Sequence, residues 1–457
     1  MEEKENKKDG LKRRDFIKLG AAGVGAVAVG NLINSCTDKT TRTLNSKPGL
    51  PTVAPMDKVR IGFVGVGNQG SSHVRNFLRI EGVEIRAICD IIPEKVERMQ
   101  NWVTEAGFAK PAGYSKGEYD FKRMCEQEEL DLVFTSTPWR WHVPVCVAAM
   151  ENGKHAATEV PAAITLDEAW QLVETAEKYQ KHCVMMENCN YGRRELMVLN
   201  MVRQGVFGEL IHAAAGYLHD LRNYKIGDAY EGQWRIKHSI NRNGNLYPTH
   251  GLGPVSNCIG INRGDRFDYL VSMSSKARGL NLFAAEKVGP DSEFAKTKFA
   301  LGDVNVTLIK TVNEVTITLY HDTNLPRPYD RIDMVQGTQA ISIGYPDRIH
   351  IEGKSPAHEW EALEKYRQEY DHPLWQKIGE LAKGAGHGGM DFLEDYRLIQ
   401  ALRTGTPTDM DVYDAAALSA VSELSERSVA NKSRPVDFPD FTRGFWKERP
   451  PLVVPGN

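Results

Sequence analysis

The stretch from Val59 to Asp90 constrains the fold more than any other. Val59-Arg60-Ile61-Gly62-Phe63-Val64 is a short apolar run rich in β-branched residues, the pattern of a parallel strand buried on both faces. Gly65-Val66-Gly67-Asn68-Gln69-Gly70 follows at once, and a helix-like segment runs on to Phe77. A second strand-like run, Val83 to Cys89, ends on Asp90, 20 residues after Gly70. Strand, G-x-G-x-x-G turn, helix, strand and terminal acid together are the opening unit of a doubly wound parallel sheet that binds a dinucleotide. The first glycine allows the tight turn, and the second, Gly67, lets the backbone approach a pyrophosphate. The helix start offers free N–H groups and a positive dipole end. Asp90 is placed to accept hydrogen bonds from the ribose hydroxyls. Its charge would repel a 2′-phosphate, which favours NAD over NADP. The plainer alternative, a glycine turn that binds nothing, fits the turn but not its whole context.

The chain has 457 residues, enough for two or three domains, and a net charge of −3, which shows no nucleic-acid footprint. Its seven cysteines are scattered without a C-x-x-C pair, so neither a zinc ribbon nor a redox dithiol is expected, and no metal site is assigned. The first 56 residues read as targeting sequence and tether. Arg13-Arg14 precede a short Gly/Ala-rich apolar segment, similar to a twin-arginine export signal, and Leu32-Ile33-Asn34-Ser35-Cys36 resembles a lipoprotein processing site. The expectation is an exported protein, periplasmic or membrane-anchored through a lipid on Cys36. A disordered tail with a chance arginine pair is the alternative. Twin-arginine export carries folded proteins, so NAD would be acquired before export and then kept.

Strand and helix patterns alternate from about 57 to 190. Leu130 to Ser136 reads as a central strand, with Thr137-Pro138-Trp139-Arg140-Trp141-His142 just past its carboxyl end, where ligands bind in open α/β sheets. Val143–Asn152 and Leu166–Lys178 read as helices, and Glu159-Val160-Pro161 as a strand exit. This order of motifs resembles the Gfo/Idh/MocA oxidoreductase superfamily. That resemblance implies an N-terminal Rossmann domain over 57–190, and over 191–457 an α+β domain with an open, mostly antiparallel sheet. Many members carry Glu-Lys-Pro and use the lysine in catalysis; here Val160 stands in its place.

In the second half, strands are expected near 208–220, 269–274, 305–310, 314–321 and 332–343, with a long functional loop from Arg222 to Tyr247. Asp411 is placed to cap a helix, and Arg434 to Pro439 reads as a tail packed on the sheet. His250, in Tyr247-Pro248-Thr249-His250, is the best proton-transfer candidate, because an imidazole titrates near neutral pH. A histidine that only holds the loop is the alternative. Arg235 and Tyr217 could hold sugar hydroxyls, or be a surface ion pair and an interior tyrosine. His387, between glycines, could touch the site but is read as bending the chain.

Taken together, Trp139–His142, Tyr247–His250, Arg327-Pro328-Tyr329-Asp330 and Gly386-His387-Gly388-Gly389-Met390-Asp391 resemble glycoside hydrolase family 109, NAD-dependent α-N-acetylgalactosaminidases. The resemblance implies that Asn68, Gln69, Asp90, Trp139, Arg140, Trp141, His142, Glu159, Val160 and Asn188 contact NAD. It also implies that Tyr217, Arg235, Tyr247, Pro248, Thr249, His250 and Tyr329 line the sugar site. Valine at 160 agrees with this family. The implied route is oxidation at the sugar C3, elimination across C1–C2, water addition and re-reduction, with His250 transferring a proton and Tyr247 or Tyr329 assisting. A sugar dehydrogenase with exchangeable NAD(P), and a non-catalytic sugar-binding lipoprotein, are the competing readings. By analogy with the superfamily, a homo-oligomer is expected.

Overall fold

A computed structural model describes residues 48–51, 53–227 and 233–456. The export signal and Cys36 lie outside the described residues.

The strand-like runs of the N-terminal half assemble into one six-stranded sheet. It comprises β1 (Val59–Val64), β2 (Val83–Cys89), β3 (Ala112–Tyr114), β4 (Leu132–Thr135), β5 (His155–Thr158) and β6 (Cys183–Met185), in the order β3-β2-β1-β4-β5-β6. Every pairing is parallel. This is the doubly wound order expected from the glycine turn. Parallel strands need both faces covered, and β4, β5 and β6 are buried at every residue. Phe63, Phe77 and Phe134 meet edge-on or tilted at 5.4–5.6 Å where the first helix, Asn68–Phe77, packs on β1 and β4. Thr165 and Glu168 form a capping box that starts the helix Leu166–Tyr179.

The second sheet has nine strands: β7 (Leu210–Leu218), β8 (Phe267–Ser274), β9 (Val304–Thr311), β10 (Thr316–Asp322), β11 (Met334–Gly337), β12 (Ala340–Ile343), β13 (Arg348–Ile351), β14 (Glu361–Ala362) and β15 (Val436–Asp437). Their order is β14-β13-β12-β11-β7-β10-β9-β8-β15, antiparallel throughout except for β7 with β10. One face alternates inward and carries the core (Ala213, Ala215, Leu270, Ile309, Ile317, Leu319). The other leaves Met273 and Leu308 exposed. The expected tail strand is β15, paired with β8.

Two local expectations are corrected. Arg222 to Tyr247 is not one loop: helices run over Arg222–Ile226 and Trp234–Asn241, because Ile226 and Ile236 bury against Leu280, Phe283 and Phe299 in a small second core. The run 332–343 is not one strand but the hairpin β11–β12, turned at Thr338-Gln339.

The C-terminal segment ties the halves together. The helix Val412–Ala430 is capped by Asp411, as expected, and packs on both β8 and the helix Leu166–Tyr179. Its alanines and serines allow that close double contact. Before it, the helix Met390–Thr404 returns to the nucleotide-domain helix Asn68–Phe77. One continuous apolar core spans both sheets.

Candidate active site

The crevice outside the carboxyl ends of β1 and β4 is the topological switch point of the first sheet. Gly65 takes φ +79°, and a Cβ on Gly70 would lie 2.1 Å from the Gly65 carbonyl oxygen. The helix can begin this close to the turn only with glycine at 70. No side chain caps that helix at Gly67, so its first N–H groups are left for a phosphate. Asp90 accepts hydrogen bonds from the amides of Val66 (2.8 Å) and Ile92 (3.0 Å), which fixes its carboxylate beside the turn. Asn68 is exposed at the helix start.

The residues after β4 separate into two groups. Trp139 is buried and faces the second domain, stacked on Tyr247 at 5.6 Å and close to Trp234 (5.1 Å) and His238 (4.7 Å). Arg140 and Trp141 turn elsewhere: Arg140 is exposed and pairs with Glu118 at 2.6 Å, and Trp141 packs on Tyr119 and Phe121. His142 lies beneath the crevice, its ring nitrogens each 2.8 Å from a backbone carbonyl, of Thr137 and of Pro161. Burial pushes its pKa down, and the neutral ring can donate to only one of the two carbonyls. Val160 is buried and offers no proton-transfer group.

Below the turn lies a carboxylate network. His73, one turn after Gln69, is fully buried between Glu159 (2.8 Å) and Asp395 (2.9 Å). Burial opposes its charge, but Asp395 and Glu159 outweigh that and raise it well above the ordinary range. Asn76 also donates to Asp395, whose own carboxyl burial pushes up to about 6. Beside them, Glu394 is buried, and desolvation pushes its pKa well above the usual carboxylate range. Asp391 accepts from Gln69 (3.2 Å), Asn188 (2.7 Å) and His387 (2.9 Å). Burial would raise Asp391, yet His387 and Asn188 hold it at about 2. The same bond raises His387, against burial. His387 therefore joins Gln69 and Asn188, both expected to contact NAD, through one carboxylate. Its side chain is 54 % exposed, and its backbone is left-handed, as are Gly388 and Gly389.

On the second-domain side, Tyr217, Tyr247, His250 and Tyr329 come together. Tyr217 lies 4.5 Å from Tyr247, 5.4 Å from His250 and 6.3 Å from Tyr329, ring to ring, and its hydroxyl meets His219 at 3.0 Å. Arg235 lies over Trp139 and Tyr247 at 5.1 and 5.2 Å, so it belongs to this cluster. Pro248 and Thr249 form the buried start of the helix Thr249–Ile259, which presents His250 in its first turn. His250 Nδ1 is 2.7 Å from Glu187, a buried carboxylate at the exit of β6. Burial raises the pKa of Tyr247 and Tyr329, so both hydroxyls stay protonated.

The family model described as "Oxidoreductase family, NAD-binding Rossmann fold" matches residues 59–187, and "Glycosyl hydrolase 109, C-terminal domain" matches residues 191–448. The chain belongs to glycosyl hydrolase family 109. It is 48 % identical over 453 residues to a family 109 protein of Shewanella pealeana, covering 98 % of this chain and 99 % of the relative. A family 109 protein of Shewanella putrefaciens is 48 % identical over 456 residues, with the same coverage. Among solved structures, levoglucosan dehydrogenase with NADH and L-sorbose superposes with TM-score 0.67 at 18 % identity, covering 84 % of this chain and all of that one. Scyllo-inositol dehydrogenase from Lactobacillus casei with NAD(H) and scyllo-inositol gives 0.59 at 12 %, covering 83 % and 99 %. These two share the fold. NAD is the cofactor, and the uncapped helix start, the glycine turn and the fixed Asp90 fit its pyrophosphate and ribose.

Sequence reasoning missed Glu187, His73 and Asp395, and favoured a chain-bending role for His387, which the structure sets against Asp391. Two weak signals existed: His73 follows Gln69 by four residues, and Asp391 follows His387 by four, each on one helical or turn face. Glu187 carries no such signal.

Proposed function

We propose that the protein is an α-N-acetylgalactosaminidase that cleaves its glycoside by a route redox-neutral overall: oxidation at C3, elimination across C1–C2, water addition at C1, and reduction at C3. NAD supplies the reversible hydride acceptor and stays bound through the cycle. The observation that carries this reading is the pair of imidazole–carboxylate couples, His250–Glu187 and His387–Asp391, in a crevice whose Glu-x-Pro turn has valine in the middle. Oxidising an alcohol moves one proton besides the hydride. Elimination and hydration also move the C2 proton and the proton of the leaving oxygen; the two couples serve those steps, and the C3 hydroxyl proton passes through the Tyr217 hydroxyl to His219, 3.0 Å away, and returns on reduction.

His250, held against a buried carboxylate among Tyr217 and Tyr247, takes and returns the C2 proton. His387, half exposed and with its pKa raised by Asp391, donates to the leaving oxygen and then accepts from the entering water. Tyr247 and Tyr329, protonated, donate hydrogen bonds to the sugar oxygens. Arg235 and Tyr217 line the same sugar site.

Export by the twin-arginine route, with NAD bound beforehand, and a lipid on Cys36 complete the proposal. So does association of copies through the exposed face of the nine-stranded sheet, supported by exposed Met273 and Leu308. Purified protein, without added NAD, should release nitrophenol from the α-N-acetylgalactosaminide. In deuterated water the released sugar should carry deuterium at C2, and its absence would sink the elimination route. Accumulation of NADH on adding a free sugar would instead establish a dehydrogenase.

A further inference from the structure

His250 belongs to the second domain, but the group that fixes it belongs to the first. Glu187 leaves the last strand of the nucleotide domain and places Oε1 2.7 Å from His250 Nδ1 and 3.1 Å from the amide of Cys189, which donates to it. The carboxylate is fully buried. Burial alone would push its pKa up, but His250 and the Cys189 amide bring it down, so it is held as an anion. The facing helix is cut away to admit it. A Cβ on Gly253 would sit 2.9 Å from Glu187 Cγ and 2.8 Å from Asn190 Oδ1. In a regular helix His250 and Gly253 share a face, so the imidazole and the gap that receives its partner come from the same turn.

Glu187, Cys189 and His250 also have the spacing of a metal trio. The contacts argue otherwise. His250 Nδ1 is spent on Glu187, and the Arg331 guanidinium donates to the Cys189 sulfur and bonds Glu195 at 2.5 Å, which places a fixed positive charge where a cation would have to bind.

We infer that Glu187 is the positioning residue of His250: it fixes the neutral ring with the proton on Nδ1 and the bare Nε2 toward the sugar, and it balances the imidazolium formed when Nε2 takes a proton. The inference rests on the proton-transfer role given to His250 above. It also makes catalysis depend on the docking of the two domains, because the base and its anchor are supplied from opposite sides.

The test separates that reading from this one. In Glu187→Gln, which can still accept both N–H groups but has lost its charge, kcat should fall by about 10–100-fold with KM within about twofold. Glu187→Ala, which also removes the acceptor, should lose more. In the His250→Ala background, Glu187→Gln should change kcat by less than about twofold, since a residue acting through His250 has nothing left to act on. Nitrogen-15 spectra of histidine-labelled holoenzyme, with His250→Ala used for assignment, need no turnover. They should show the neutral His250 ring protonated at Nδ1, and Glu187→Ala should shift protons to Nε2. A parent ring protonated at Nε2 would overturn the inference whatever the substrate proves to be. Equal losses from Glu187→Gln with and without His250 would overturn it too, as would a stoichiometric metal in the parent that Glu187→Ala loses.

Discussion

His250 and His387 are built from the same parts, an imidazole on a buried carboxylate, yet their settings differ. His250 stands in the first turn of a regular helix, 14 % exposed and flanked by Tyr217 and Tyr247. His387 stands on left-handed backbone beside two glycines, 54 % exposed, and its carboxylate also carries Gln69 and Asn188. The first is held by packing and sees little solvent. The second shares an anchor with Gln69 and Asn188, the proposed cofactor contacts, and can exchange protons with water. A proton taken from carbon and later returned suits an enclosed base, whereas a proton given to a leaving group and recovered from water suits an open one.

The largest expected effect is on the enclosed member. His250→Ala should lower kcat by about 10³–10⁴-fold, with the hydride steps still detectable as a bound-cofactor absorbance change on mixing with sugar. A variant that hydrolyses normally would end the distinction. His387→Ala should cost about 10²–10³-fold on a methyl glycoside and far less on a nitrophenyl glycoside, since a good leaving group needs little protonation. Equal losses on the two substrates would show that His387 does not protonate the leaving oxygen.

Asp391→Asn should act on both chemistry and cofactor. It removes the main cause of the raised His387 pKa, so the alkaline limb of kcat should move to lower pH: His387 must be protonated to donate, and it then loses its proton sooner. The same variant frees Gln69 and Asn188 and should release NAD more readily on gel filtration, by about tenfold, while Glu187→Gln should not. Loss of NAD from both variants would erase the contrast.

The smallest effect is on stability. His387 has a raised folded pKa, so its pairing stabilises fully below about pH 6.5 and fades as pH rises through the folded value. The melting difference between the parent and His387→Ala should therefore be greatest on the acid side of neutrality and vanish on the alkaline side.

The nucleotide half was legible because its signals are local. The glycine turn, Asp90 and the apolar runs that became β1, β2, β4, β5 and β6 depend on neighbours a few residues away. The region from Arg222 to Tyr247 misled because its polar, glycine-rich composition hid two helices. Those helices are stabilised by burying Ile226 and Ile236 against Leu280 and Phe283, more than 40 residues on. His142, expected to contact the cofactor from its place after β4, is buried with its ring between the carbonyls of Thr137 and Pro161, a setting invisible in sequence.

By itself, then, the sequence determined the cofactor fold, the family, and the identity of His250 as a candidate, since periodicity, turn chemistry and motif spacing are properties of short segments. The tertiary structure decided what each candidate is attached to. Glu187 meets His250 across 63 positions, and Asp395 meets His73 across 322. Such pairings arise only when the helices Thr249–Ile259 and Met390–Thr404 fold back onto the first domain, because the cost of burying a charge is met by a partner that chain order alone does not name.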